Sequence, residues 1–123
     1  MIQAYSENVE VTAQSPVAFN NTAIKKGCTA EMSGTNTINL NKRGVYMVEV
    51  DSVAGTATTL QLYKDGVAMP QAQSTGTNPS FSTLVQVDKD NSNCCCSSPT
   101  TLQVVSSAGV TLTNANIVVT KLC

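Results

Sequence analysis

Apolar residues in this chain recur at every second position over short stretches. No window of eleven residues carries the i, i+3, i+4, i+7 stripe of a helix. Period-two stretches rich in Val, Thr and Ile predict strands at residues 9–19, with an interruption at Pro16, and at 37–40, 45–53, 58–63, 67–73, 81–87, 100–106 and 116–122. The sequence YKDGVAM supplies the sharpest local signal, because Asp65-Gly66 adopts positive φ at low cost, as a two-residue hairpin turn requires. Longer breaks fall at STGTNPS and DKDNSNCCCSSP, where Gly, Pro, Asn and Ser cluster. No linker or internal repeat divides the chain. The pattern predicts a single all-β sandwich domain over residues 8–123, preceded by a tail or anchor segment at residues 1–7.

The strands are not alike on their two faces. In residues 58–63, Leu60 and Leu62 oppose Thr59, Gln61 and Tyr63, and further on Leu102 and Val104 oppose Thr101 and Gln103. These strands read as half exposed. In NKRGVYMVEVDSVAG, by contrast, Tyr46, Val48 and Val50 share one face while Val45 and Met47 occupy the other. The same holds for Ile117 and Val119 against Val118 and Leu122, and for Phe81 and Val85 against Leu84. Two apolar faces imply that something covers the outer side, since apolar patches of that extent are rarely left open to water.

Composition narrows the classes of partner. Charged residues make up 12% of the 123 residues against roughly 25% in ordinary globular chains, so the surface is built from Ser, Thr, Asn and Gln. Seven basic and eight acidic residues give a net charge of −1, and no basic run exceeds the pairs Lys25-Lys26 and Lys42-Arg43. A nucleic-acid partner is not expected on these grounds. No segment approaches the roughly 20 apolar residues of a membrane-spanning helix, and the first ten residues lack the basic leader and apolar run of a signal peptide. Five cysteines are many for a protein kept reduced. Together these features suggest synthesis inside a cell and service outside it.

Candidate chemistry is sparse. The absence of His excludes Ser-His and Cys-His nucleophilic systems and His-ligated metals. Asp88 and Asp90 in VDKDNSN lack the glycine and the distal glutamate of a calcium loop and read as a solvated turn. No catalytic residue, metal site or cofactor is expected, and the chain does not read as an enzyme. The triplet Cys94, Cys95 and Cys96 leaves three readings open: disulfide bonding to Cys28 or Cys123, a thiolate metal site, or reduced thiols of no consequence. Adjacent cysteines on an extended chain point apart, unlike the C-x-x-C pairs that usually grip one ion.

Three motifs taken in order resemble the tumour necrosis factor-like jelly roll that cytokines, complement-type globular heads and bacterial and phage surface trimers share. INLNKRGVYMVEV is similar to the family's I-x-I-x-x-x-G-x-Y-x-V strand, LQLYKDGV to its V-x-L-x-x-N-G hairpin, and NANIVVTKL to its closing strand, A-x-L-x-V-x-K-L. The resemblance covers roughly residues 9–122. It implies a jelly-roll sandwich of about 8–10 antiparallel strands that assembles as a homotrimer through the sheet holding the third, sixth and last long strands. By that match Tyr46 and Val48 point inward, and Val45, Met47, Glu49, Leu84, Val119 and Lys121 are the expected trimer-interface residues. Counting by two from Met47 reaches Glu49 and from Val119 reaches Lys121, so a Glu49–Lys121 charge pair is expected near the subunit boundary. The aromatics that usually line the family's trimer axis are few here. In a jelly roll the first and last strands are neighbours, which brings Cys28 and Cys123 toward one another or their symmetry mates.

Among members of this family the chain resembles head-fibre or decoration proteins of tailed phages. That resemblance implies a structural or attachment protein on a virion surface, made in the host bacterial cytoplasm without a signal peptide. Its implied partners are a capsid or other virion protein, reached through the N-terminus, and a host surface glycan or protein, with no membrane insertion. A non-catalytic carbohydrate-binding module is the alternative, opposed by the shortage of aromatics for sugars to stack on. A secreted cytokine-type ligand is a third.

Overall fold

The computed structural model describes residues 1–27, 29–88 and 100–122. Its strands are β1 (Ile2–Val11), β2 (Ser15–Pro16), β3 (Asn21–Lys25), β4 (Ala30–Ser33), β5 (Thr37–Leu40), β6 (Gly44–Val53), β7 (Thr58–Lys64), β8 (Val67–Gly76), β9 (Ser80–Val87), β10 (Thr100–Ser106) and β11 (Val110–Lys121). They form two antiparallel sheets. The front sheet has the order β3-β1-β11-β6-β9 and the back sheet β4-β5-β10-β7-β8, with β2 paired to β10.

One apolar layer fills the space between the sheets. Ile2, Tyr46, Val48, Leu112, Ile117 and Val119 from the front meet Ile38, Leu40, Leu60, Leu62, Leu102 and Val104 from the back, all at most 1% exposed. Buried polar groups within this layer are paired. The Tyr46 hydroxyl donates to the Lys42 carbonyl at 2.7 Å, and Ser52 donates to the Pro79 carbonyl at 2.7 Å. Ser106 uses its one proton on the Ala108 carbonyl at 2.8 Å. In the 2.8 Å contact between Thr58 and Ser106, Thr58 is therefore the donor.

The hairpin expected at Asp65-Gly66 forms, with φ of 52° and 79° at the two central residues, joining β7 to β8. Asp65 also ties the turn to the sheet, its carboxylate accepting from the Thr101 amide at 2.9 Å.

Residues 1–7, expected to be a tail or anchor outside the domain, instead lie largely in β1. Ile2, Ala4 and Ser6 are each 0% exposed, and β1 is hydrogen-bonded to β11 on one side and β3 on the other. A phase slip hides this strand from a period-two pattern. Asn8 sits at φ 52°, and the register jumps from Glu7↔Asn114 to Val9↔Leu112, so inward residues run 2, 4, 6 and then 9, 11. A strict period of two cannot follow that slip, and Asn tolerates the left-handed region better than most residues. The short edge strands β3 and β4 also escape the pattern. All five residues of β3 are exposed, leaving no buried face to mark it.

Asn8→Val is therefore expected to lower stability by about 1–2 kcal/mol in urea unfolding, because a β-branched side chain is strained at positive φ. Asn8→Gly should stay within about 0.5 kcal/mol of the parent.

Candidate functional site: the outer face of the front sheet

Register assigns the outward side chains. Met47 lies opposite Leu84 on one side and Thr120 on the other, Val45 opposite Gln86, and Glu49 between Ser82 and Val118. One step further along, Asp51 lies between Ser80 and Asn116, which in turn faces Tyr5. Leu84 is 56% exposed, and Val45, Met47 and Val118 are half-buried. Leu122 extends β11 past its last paired residue by donating its amide to the Val45 carbonyl at 2.7 Å, and is 52% exposed. Together these side chains make a continuous apolar patch centred on Met47.

The outer face of the back sheet differs in kind. Thr37 and Asn39 on β5, Thr101 and Gln103 on β10, and Thr59 and Gln61 on β7 cover it, knitted by Gln103 to Thr37 at 2.9 Å and Thr59 to Thr75 at 2.7 Å. Val105 and Tyr63 share this face, opposite Gln61 and Gln103, and are buried and half-buried among the polar side chains. The half-exposed reading of these strands and the two-faced reading of β6 and β9 therefore match the positions of the side chains.

Two residues expected on the outer face lie elsewhere. Val119 is 0% exposed, opposite Val48 in the core layer, and Val118 takes the outward position. Lys121 falls on the same inward side as Val119, opposite Tyr46 at the end of the strand. The expected Glu49–Lys121 pair is thereby ruled out within the sheet, since Glu49 is opposite Val118 and the two side chains leave opposite faces. Three consecutive apolar residues at 117–119 carry no parity of their own; only pairing with β6 determines which is inside. The outward positions of Val45, Met47, Glu49 and Leu84 stand as expected. Val118 is the interface candidate that counting from Val119 missed.

Other chemistry is thin among the described residues. No group of three or more His, Cys, Asp or Glu side chains converges there. An open depression of about 440 Å³, lined in part by Glu10, Thr12, Thr56 and Thr111, holds one carboxylate and so lacks an acid–base pair. Lys25 and Glu31 form an exposed ion pair at 3.5 Å across the β3 and β4 edges, a type of contact that contributes little to stability. The candidate disulfide residues Cys28, Cys94, Cys95, Cys96 and Cys123, and Asp90, lie outside the described residues.

The fold is similar to several solved structures along nearly its whole length. The globular domain of zebrafish complement 1qA matches with a TM-score of 0.77 and 12% identity, covering 99% of this chain and 96% of that one. Eiger TNF from S. frugiperda matches at 0.72 and 14%, covering 99% and 92%. The PRD1 vertex protein P5 matches at 0.71 and 11%, covering 99% and 96%. No family model matches the chain, and no curated protein matches its sequence. The expected architecture, an all-β sandwich of the tumour necrosis factor and complement jelly-roll type, is therefore the fold of this chain.

Val119→Ala should cost about 2 kcal/mol in urea unfolding, measured at concentrations low enough to dissociate any assembly. Val118→Ala should stay within about 0.5 kcal/mol under the same conditions. Equal costs would mean that β11 is turned over.

Proposed function

We propose that this chain is a structural or attachment protein of a virion surface, standing there as a homotrimer whose front sheets face one another. The observation that carries the reading is the contrast between the two outer faces. The front presents Val45, Met47, Leu84, Val118 and Leu122 in one patch, while the outer positions of β5, β7 and β10 on the back are mainly Thr, Gln and Asn, with cross-strand bonds from Gln103 to Thr37 and between Thr59 and Thr75. Removing a Met or Leu side chain from water contributes about 1.5–3 kcal/mol each, and three copies around an axis would cover every such patch at once. The three-fold arrangement is what the jelly-roll resemblance implies. The likeness to a vertex protein of the phage PRD1 supports placement on a virion.

In this reading the back sheet and the loops remain free for a host glycan or protein. The anchoring role expected for residues 1–7 is dropped, because freeing them would unpair β1 from both β11 and β3.

Sedimentation of the purified chain at micromolar concentration should give three times the 12.9 kDa chain mass. Met47→Lys should shift it to the monomer, since a desolvated, unpaired ammonium costs several kcal/mol. Gln73→Lys, at an exposed position of β8, should leave the assembly unchanged. Immunogold electron microscopy of particles from the producing cells should place the label on their surface. A monomeric parent would remove the assembly, and label absent from particles would remove the virion role.

A further inference from the structure

The front outer face is apolar toward one end and acidic toward the other. Val45, Met47, Leu84 and Leu122 occupy the end where β6 begins and β11 finishes, and Val118 lies at mid-height, level with Glu49. From that mid-height position toward the opposite end, the same face carries Glu49 and Asp51 on β6 and Glu7 and Glu10 on β1. All four are exposed, and Val53 is the apolar exception among them. No outward position of the five front strands holds a Lys or Arg. Lys25 and Lys121 lie opposite Ile2 and Tyr46, on the inward side, and β9 and β11 contribute no acid or base to the outer face.

The basic residues gather at the other end of the sandwich. Lys25 ends β3 and Lys26 follows it, Lys42 and Arg43 precede β6, and Lys121 closes β11. Lys64 donates to the Gln86 carbonyl at 2.6 Å, on the residue paired with Val45. These six, together with Glu31, Asp65 and Asp88 at that end, sum to +3, whereas Glu7, Glu10, Glu49 and Asp51 sum to −4. A chain with a net charge of only −1 is thus divided into a basic end and an acidic half-face.

We infer that self-association through the front face is held in check by its own carboxylates and is strengthened by ionic strength. The inference rests on the trimer reading above. Copies arranged around an axis running along their strands meet at equal heights, so the apolar end packs on apolar ends and the acidic half confronts acidic halves. Like charges brought together across a part-solvated gap repel, and salt screens that repulsion over about 8–10 Å near physiological strength. The basic end lies at a different height and does not relieve it. An antiparallel pair of copies would set the acidic half against the partner's basic end, and salt would then weaken the association. The sign of the salt response therefore reports how the copies are aligned.

Sedimentation equilibrium of the parent chain at 20 mM and 500 mM NaCl tests this. The self-association constant should rise on the order of tenfold with salt. Salt also favours apolar contact in general, so the double variant Glu49→Gln/Asp51→Asn provides the comparison. It should associate more tightly than the parent at 20 mM and show a clearly smaller salt response. A trimer with salt dependence that is absent, reversed or unchanged in the double variant overturns the inference and leaves the trimer standing. A monomer under every condition overturns both.

Discussion

Side chains along a strand point alternately to its two faces, so a single core layer between two sheets hides only half of each strand. Everything distinctive about this chain follows from what it places on the remaining half. The back sheet fills its outer half mainly with Thr, Gln and Asn, and Gln103 bonds across to Thr37 and Thr59 to Thr75. Its front sheet fills part of its outer half with Val, Met and Leu. An all-polar outer surface would make a self-sufficient monomer; this surface is asymmetric, and in the proposed assembly the asymmetry supplies both a docking face and a direction for it.

The same constraint explains how much could be read in advance. The middle of the fold was legible because β6 alternates through residue 53 and β7 and β10 alternate over residues 58–62 and 100–104, and the Asp65-Gly66 turn has the residues its φ angles require. Other parts were hidden for separate physical reasons. Asn8 shifts the phase of β1, so Ile2, Ala4 and Ser6 appear unrelated to Val9 and Val11. β3 is an edge strand with no buried side chain, so burial leaves no mark in its sequence. In β11 the run Ile117, Val118, Val119 is apolar on both faces, and its orientation is a property of the register with β6 rather than of the strand. The outer patch was thus legible as a class of surface, and on β6 and β9 by residue; its β11 contribution required the neighbouring strand.

Polar chemistry within the fold serves architecture. Ser6 donates to the Ala18 carbonyl and accepts the Asn20 amide, each at 2.7 Å, and so holds the chain that leads into β3. Among the described residues, no buried side-chain nitrogen or oxygen lacks a hydrogen-bond partner. Pairing of this kind is what burial of a polar side chain requires. The charges lie outside the core, separated between one end of the sandwich and one half of a face.

The central claim is that the outer face of the front sheet is the boundary between copies of this chain. Hydroxyl-radical footprinting across a dilution series reads that face directly, because Met47 and Leu84 are reactive side chains that project from it, and Tyr63 reports on the back sheet. The account predicts that oxidation of Met47 and Leu84 falls together as concentration rises through the association midpoint, while oxidation of Tyr63 stays constant. Protection of Tyr63 with Met47 and Leu84 left open would place the boundary on the wrong sheet and contradict the account.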